Sequence, residues 1–219
     1  MSAVAASPVI YVVDDDAAVR DGLDQLLSGS GFEVRPCADA DRFFAACDPA
    51  RPGCVLLDVA MPGMSGPALQ ESLAQRGIAL PVVFLTAHGD VPTSVRAMKA
   101  GALDFLEKPV AGETLLAVVR SALAQHEHHR AEHTARTTAR ARYAKLTARE
   151  REVMTLAVAG LANKEIARKL GLSHRTVEIH RARAMRKMHA STLLELARAA
   201  ELCGAAPASV ASVEEDKPA

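Results

Sequence analysis

The chain has 219 residues, of which 49% are hydrophobic and 24% charged. That length fits one large domain or two small ones with cores of their own, and the apolar share excludes disorder throughout. The 26 Lys/Arg and 26 Asp/Glu cancel only in sum: residues 1–111 carry −6, 112–142 carry +2, 143–202 carry +6 and 203–219 carry −2. An acidic first half and a basic block after it predict two domains with different partners, a metal ion for one and nucleic acid for the other.

No apolar run reaches the ~18 residues of a membrane span, and no basic region followed by an apolar stretch opens the chain. Cys37, Cys47, Cys54 and Cys203 lack ligand spacing and read as scattered reduced thiols of a cytoplasmic protein. In chain order, short apolar runs at 9–13, 32–34, 54–57, 81–85 and 104–106 alternate with helical stretches at 17–27, 39–46, 67–75 and 93–100. Strands that are apolar throughout belong to a parallel sheet covered on both faces. Five of them alternating with helices predict an α/β domain of flavodoxin-like, doubly wound type over residues 1–111.

A helix begins near Gly112, with Leu115, Leu116, Val118, Val119, Ala122 and Leu123 as its apolar side. Between His126 and Arg142 the large aliphatics vanish, so 112–142 reads as the last helix of the first domain continued by a solvent-exposed helical linker, with a frayed coil as the alternative. His126, His129 and His133 share one helical face with His128 close by. No cysteine or acidic cluster joins them into a zinc site, and a polar linker is the reading. Four helices follow over 143–202, making an all-α second domain. Thr147 and Glu150 form a capping box for the first and Gly160 ends it; Asn163 caps the second, with Gly171 as the turn; Ser173 caps the third, to about Met188; Ser191 caps the fourth, to about Leu202. The Ala/Pro/Ser/Glu-rich tail 203–219 reads as disordered.

Polar residues gather at the strand ends: Asp14, Asp15 and Asp16 after the first, Asp58 closing the third, Thr86 closing the fourth and Lys108 after the fifth. In a doubly wound sheet these ends share one rim, where carboxylates suit Mg²⁺, a carboxylate can take up a phosphoryl group, and Thr86 and Lys108 can bond its oxygens. Singly, an acidic run after a strand is more often a helix cap, and a strand-end Thr is usually nothing. Together, VVDDD, LLDVAMPGMSG, FLTAHGDVP and DFLEKPV resemble the receiver domain of response regulators, closest to the FixJ type. The resemblance implies that Asp58 is the phosphoacceptor, and that Asp14, Asp15 and Asp58 bind Mg²⁺ with the backbone carbonyl of Ala60. Thr86 and Phe105 would be the switch pair, Lys108 the phosphoryl-binding lysine, and the Lys108–Pro109 bond cis. Ser65 replaces a frequent Asp, and Ala60 and His88 stand where residues tune dephosphorylation.

The stretch LANKEIARKLGLSHRTVEIHRARAMRKM fits a helix-turn-helix, against the blander reading of an amphipathic hairpin with a solvated basic face. From LTAREREVM through TVEIH it is similar to LuxR/FixJ-type DNA-binding domains. At 100° per residue, Val177, Ala184, Met185 and Met188 form the apolar side of the third helix. Arg175, Glu178, Ile179, Ala182 and Arg186 lie opposite, with Arg183 at the margin. Arg175 and Glu178 have base-reading chemistry, Ile179 and Ala182 suit thymine methyls, and Lys164, Thr176 and His180 suit phosphates. Arg181 falls on the apolar side, its stem packed and its head at the edge.

The resemblance implies a response regulator phosphorylated by a sensor histidine kinase, which then dimerises, binds double-stranded promoter DNA and acts on RNA polymerase, with no membrane partner. One rival is an aspartyl-phosphate phosphotransfer or phosphatase enzyme with an accessory helical interaction domain. It needs a second acid/base near Asp58, and Ala60 supplies none. The other is an interaction module whose helix-turn-helix binds protein.

Overall fold

The computed structural model describes residues 7–87 and 91–205, with the backbone alone at 91–93. His88 and positions 206–219 of the tail lie outside the described residues. The chain divides into two compact units between Arg130 and Ala131, within the segment 112–142 expected to carry the linker.

The first unit contains β1 (Val9–Val13), α1 (Ala17–Gly29), β2 (Glu33–Cys37), α2 (Ala40–Ala46), β3 (Gly53–Asp58), α3 (Gly66–Gln75), β4 (Val82–Thr86), α4 (Val91–Lys99) and β5 (Asp104–Glu107). It also holds the first part of α5 (Gly112–Ala144). The five strands are parallel in the order β2-β1-β3-β4-β5. Alternate residues leave the sheet on opposite faces. Tyr11, Val13, Val55, Leu57 and Phe84 pack against Phe43 of α2, Leu69 and Leu73 of α3, and Ala97 of α4. Ile10, Val12, Cys54, Leu56 and Leu85 pack against Leu23 and Leu27 of α1 and Leu115, Val119 and Ala122 of α5. Both faces are therefore covered, which is why β1, β3 and β4 are buried at every residue.

The apolar run 32–34 understates β2, which extends to Cys37 because Arg35, Pro36 and Cys37 pair in register with Tyr11, Val12 and Val13. Backbone pairing carries an edge strand past its apolar residues, and a proline without an N–H is tolerated there. Beyond His126 the chain stays helical to Ala144, so the helical reading of the linker holds over the frayed coil. His126 is buried, and its Nδ1 accepts from the Gly53 N–H at 3.1 Å. The imidazole therefore serves the start of β3 and not a cluster of linker histidines.

The second unit is all-helical: the end of α5, then α6 (Ala148–Val158), α7 (Asn163–Leu170), α8 (His174–Met188) and α9 (Leu193–Cys203). Leu146, Met154, Ala184, Met188, Leu196 and Ala200 form one core cluster, and Val153, Ala157, Ile166, Ala167 and Val177 the other. The expected capping box at Thr147 and Glu150 is present, and Ser173 caps α8. Two caps differ by one residue. Ala162, not Asn163, is the N-cap of α7, where the Glu165 carboxylate takes the Ala162 N–H; Thr192, not Ser191, caps α9 and accepts from the Glu195 N–H. Cys203 closes α9 in place of opening the tail. All four cysteines are free thiols. Burial pushes Cys54 up to about 12 and Cys37 up to about 11, so neither is a nucleophile at neutral pH.

Candidate functional site

The strand order places β1 between β2 and β3, and the crevice of a doubly wound sheet opens at the carboxyl ends of the strands where that order reverses. Asp14 leaves β1 there, Asp58 is the last residue of β3, Thr86 the last of β4, and Lys108 follows β5. The Lys108 ammonium lies 2.6 Å from an oxygen of Asp14 and 2.6 Å from an oxygen of Asp58. Burial pulls the pKa of this lysine down. Hydrogen bonds and charge attraction from the two carboxylates outweigh it and hold the Lys108 pKa above its ordinary value. The Lys108 N–H also donates to the Thr86 carbonyl at 2.7 Å, tying the lysine's backbone to the end of β4.

Backbone donors hold the two carboxylates. Asp58 accepts from the Ala60 N–H at 2.7 Å, and Asp14 accepts from the Asp16 N–H at 3.0 Å. Arg20, unremarked in the sequence, donates from its guanidinium to the Asp14 carbonyl at 2.7 Å, bracing the acidic turn from α1. Its only advance signal is a cation on the first turns of a helix that follows an acidic run. Asp15 is exposed, and among the described residues no three His, Cys, Asp or Glu side chains are gathered closely enough to hold a metal unaided. The donor set is nevertheless all hard oxygen, and it already balances one cation, the Lys108 ammonium. It fits Mg²⁺ in charge and chemistry.

Thr86 is buried at the rim, and the half-buried Phe105 ring sits 6.0 Å from that of Phe84. The Lys108–Pro109 peptide is cis. Ser65 caps α3 by accepting from the Ala68 N–H, a role a serine fills as well as an aspartate.

In the second unit, α7, the turn at Gly171 (φ 64°) and α8 make the helix-turn-helix. Arg175, Ile179, Ala182, Arg183 and Arg186 are exposed, while Val177, Ala184 and Met188 are buried, as the angular sorting expects. Glu178, on the same exposed side, ion-pairs with Arg175 at 3.4 Å and faces His174 at 3.6 Å. Lys164 is exposed; Thr176 is half-buried and shares a 2.7 Å hydrogen bond with the Ser173 hydroxyl. His180 is half-buried, with a buried Nδ1 that has no hydrogen-bond partner among the described residues. Arg181, the residue the angular sorting left awkward, donates to the Asn163 side-chain oxygen at 2.8 Å and so joins α8 to the start of α7.

A parallel five-stranded sheet with this acidic rim, followed by a helix-turn-helix, defines a response regulator with a DNA-binding output domain. Comparison with protein families agrees. Residues 10–120 match the response regulator receiver domain, and residues 144–200 match the bacterial regulatory proteins of the luxR family. The chain belongs to the response regulators that carry a LuxR-type DNA-binding domain.

It is 46% identical over 203 residues to the transcriptional regulatory protein FixJ of Azorhizobium caulinodans, covering 93% of this chain and 96% of that one. It is also 46% identical over 191 residues to the C4-dicarboxylate transport transcriptional regulatory protein DctR of Rhodobacter capsulatus, covering 86% and 97%. Among solved structures, the response regulator StyR is similar with a TM-score of 0.80 at 42% identity, covering 90% of this chain and 99% of that one. Full-length FixJ from B. japonicum is similar at 0.56 and 45% identity, covering 90% and 97%. Among the described residues no helix is long and apolar enough to cross a membrane.

Proposed function

We propose that a sensor histidine kinase phosphorylates this regulator on Asp58 and that the modification switches its binding to promoter DNA. The observation that carries the reading is the pair of 2.6 Å contacts by which one ammonium joins Asp14 and Asp58 at the strand ends. Asp14, Asp15, Asp58 and the Ala60 carbonyl would hold Mg²⁺, which when bound neutralises the carboxylates and the incoming phosphoryl oxygens.

One oxygen of Asp58 attacks phosphorus, the bond to the donor's imidazole nitrogen breaks, and the imidazole leaves with the electron pair. Lys108 transfers its attraction from the Asp58 carboxylate to a phosphoryl oxygen. Thr86 donates its hydroxyl to another, and Phe105 follows it inward. On the output side Arg175 and Glu178 read base edges, Ile179 and Ala182 meet thymine methyls, and Lys164, Thr176, His180, Arg183 and Arg186 hold phosphates. The regulator acts in the cytoplasm as a phosphorylation-dependent homodimer that engages RNA polymerase, with domains at 1–111 and 143–202 and the linker between. It is not itself an enzyme: the neighbour two residues after Asp58 is alanine, which lacks the acid/base that rapid turnover of an aspartyl phosphate needs.

Intact mass after incubation with a small phosphodonor and Mg²⁺ tests the assignment. Wild type should gain one phosphoryl group and Asp58→Asn none. Labelling of the Asn variant at the wild-type rate would place the acceptor elsewhere.

A further inference from the structure

In the second unit, a cleft of about 560 Å³ lies between the C-terminal part of α5 and the end of α9, lined by Arg136, Arg140, Arg198, Glu201, Leu202 and Gly204. Three guanidinium groups and one carboxylate line it. Arg136 has only a loose ion pair, with Glu132 at 3.8 Å, and Arg140 and Arg198 have none among the described residues. Arginine forks suit carboxylate and phosphate oxygens, so the cleft calls for an anion with several oxygens. None of the DNA-facing residues assigned above lines it; those on a helix other than α7 are all on α8.

We propose that the occupant is this chain's own acidic segment, Glu214, Glu215 and Asp216, which folds back into the cleft and keeps the phosphates of non-specific DNA out of it. Three facts on the chain favour it. The cleft is lined by Gly204, the C-cap of α9, so the segment is tethered at the cleft's edge. Residues 206–213 contain no charged group, and 214–216 are three consecutive acids. Eight residues separate Ala205 from Glu214, a reach of about 30 Å when extended, and a tether this short gives a local concentration of order millimolar. Exposed guanidinium–carboxylate contacts are weak singly, so the docking is set by the three acting together and yields to salt.

The full-length protein tests this through its arginine side-chain N–H resonances, compared between wild type and Glu214→Gln/Glu215→Gln/Asp216→Asn. An unchanged thermal midpoint confirms that both proteins are folded. The signals of Arg136, Arg140 and Arg198 should shift between the two. Raising salt from about 50 to about 500 mM should move the wild-type signals toward those of the variant. The variant should also bind a scrambled duplex about threefold or more tighter at low salt, and Arg136→Gln/Arg140→Gln/Arg198→Gln should erase that gain. The arginine readout does not depend on the DNA-binding reading, so the two can fail separately. Unchanged arginine signals overturn the proposal. Signals that answer to the duplex but not to the tail also overturn it, and make the cleft a phosphate-binding surface.

Discussion

Gly66 sets how closely the loop after Asp58 can return to the strand end. A Cβ built on it would stand 2.2 Å from the Asp58 carbonyl oxygen and 3.0 Å from the Phe84 ring, while its N–H donates to the Val59 carbonyl at 3.0 Å. Gly66→Ala should therefore displace the end of β3, cost about 1–3 kcal/mol of stability and slow the labelling of Asp58. Gly22→Ala, in a helix with open space around it, should leave both unchanged or add a few tenths of a kcal/mol. Urea unfolding and the labelling rate of the two variants check this; equal behaviour would mean that the loop gives way freely. Gly66 closes the LLDVAMPGMSG stretch, but the close approach that excludes a side chain there is not visible in the sequence. Asp14, Asp58 and Thr86 were legible because each is the first polar residue after an apolar run, and Lys108 because it follows one by two positions; parallel strands bring such positions together. Arg20 and the Asn163–Arg181 pair were not legible. Their partners are a backbone carbonyl and a side chain 18 positions away, and periodicity carries no trace of either.

Elements show the same division. The four helices of the second unit follow from caps and periodicity, whereas the extent of β2 came from pairing with β1 and the exact caps of α7 and α9 from local hydrogen bonds. On α8 the exposed side makes distinct demands at its two ends. Glu178→Ala should relax sequence preference, costing roughly 1–3 kcal/mol at the preferred site with little change in salt slope. Arg186→Ala, two turns further on, should weaken all sequences alike and lower the slope by about one counterion. Titrations of preferred and scrambled sites at several salt concentrations separate the two, and the reverse pattern would mean a different rotation of the helix in the groove.

On α5, the His126 imidazole accepts the Gly53 N–H only when neutral. Burial foremost, and the Arg130 charge after it, push its pKa below the ordinary 6.5. A base with a depressed folded pKa contributes stability that is complete above its unfolded value and is lost as pH falls below it. The urea midpoint of the first unit should therefore drop between pH 7 and 5. His126→Gln, which can still accept from Gly53, should show a shallower drop, and parallel profiles would remove the histidine from this account.

For the whole molecule, the parallel sheet separates two kinds of work by the length of its strands. Strands of four to six residues at ~3.3 Å each span roughly 13–20 Å. The acidic rim lies at one end of that span. At the other lie the Gly53–His126 bond and the bond from Arg130 to the Ala50 carbonyl, which anchor α5 to the start of β3 and to the loop before it. The two sets of contacts share no residue. The signal's chemistry and the mooring of the helix that leaves the unit can thus vary independently. Selection or an engineer could retune how firmly α5 is held while the side chains of the rim stay as they were.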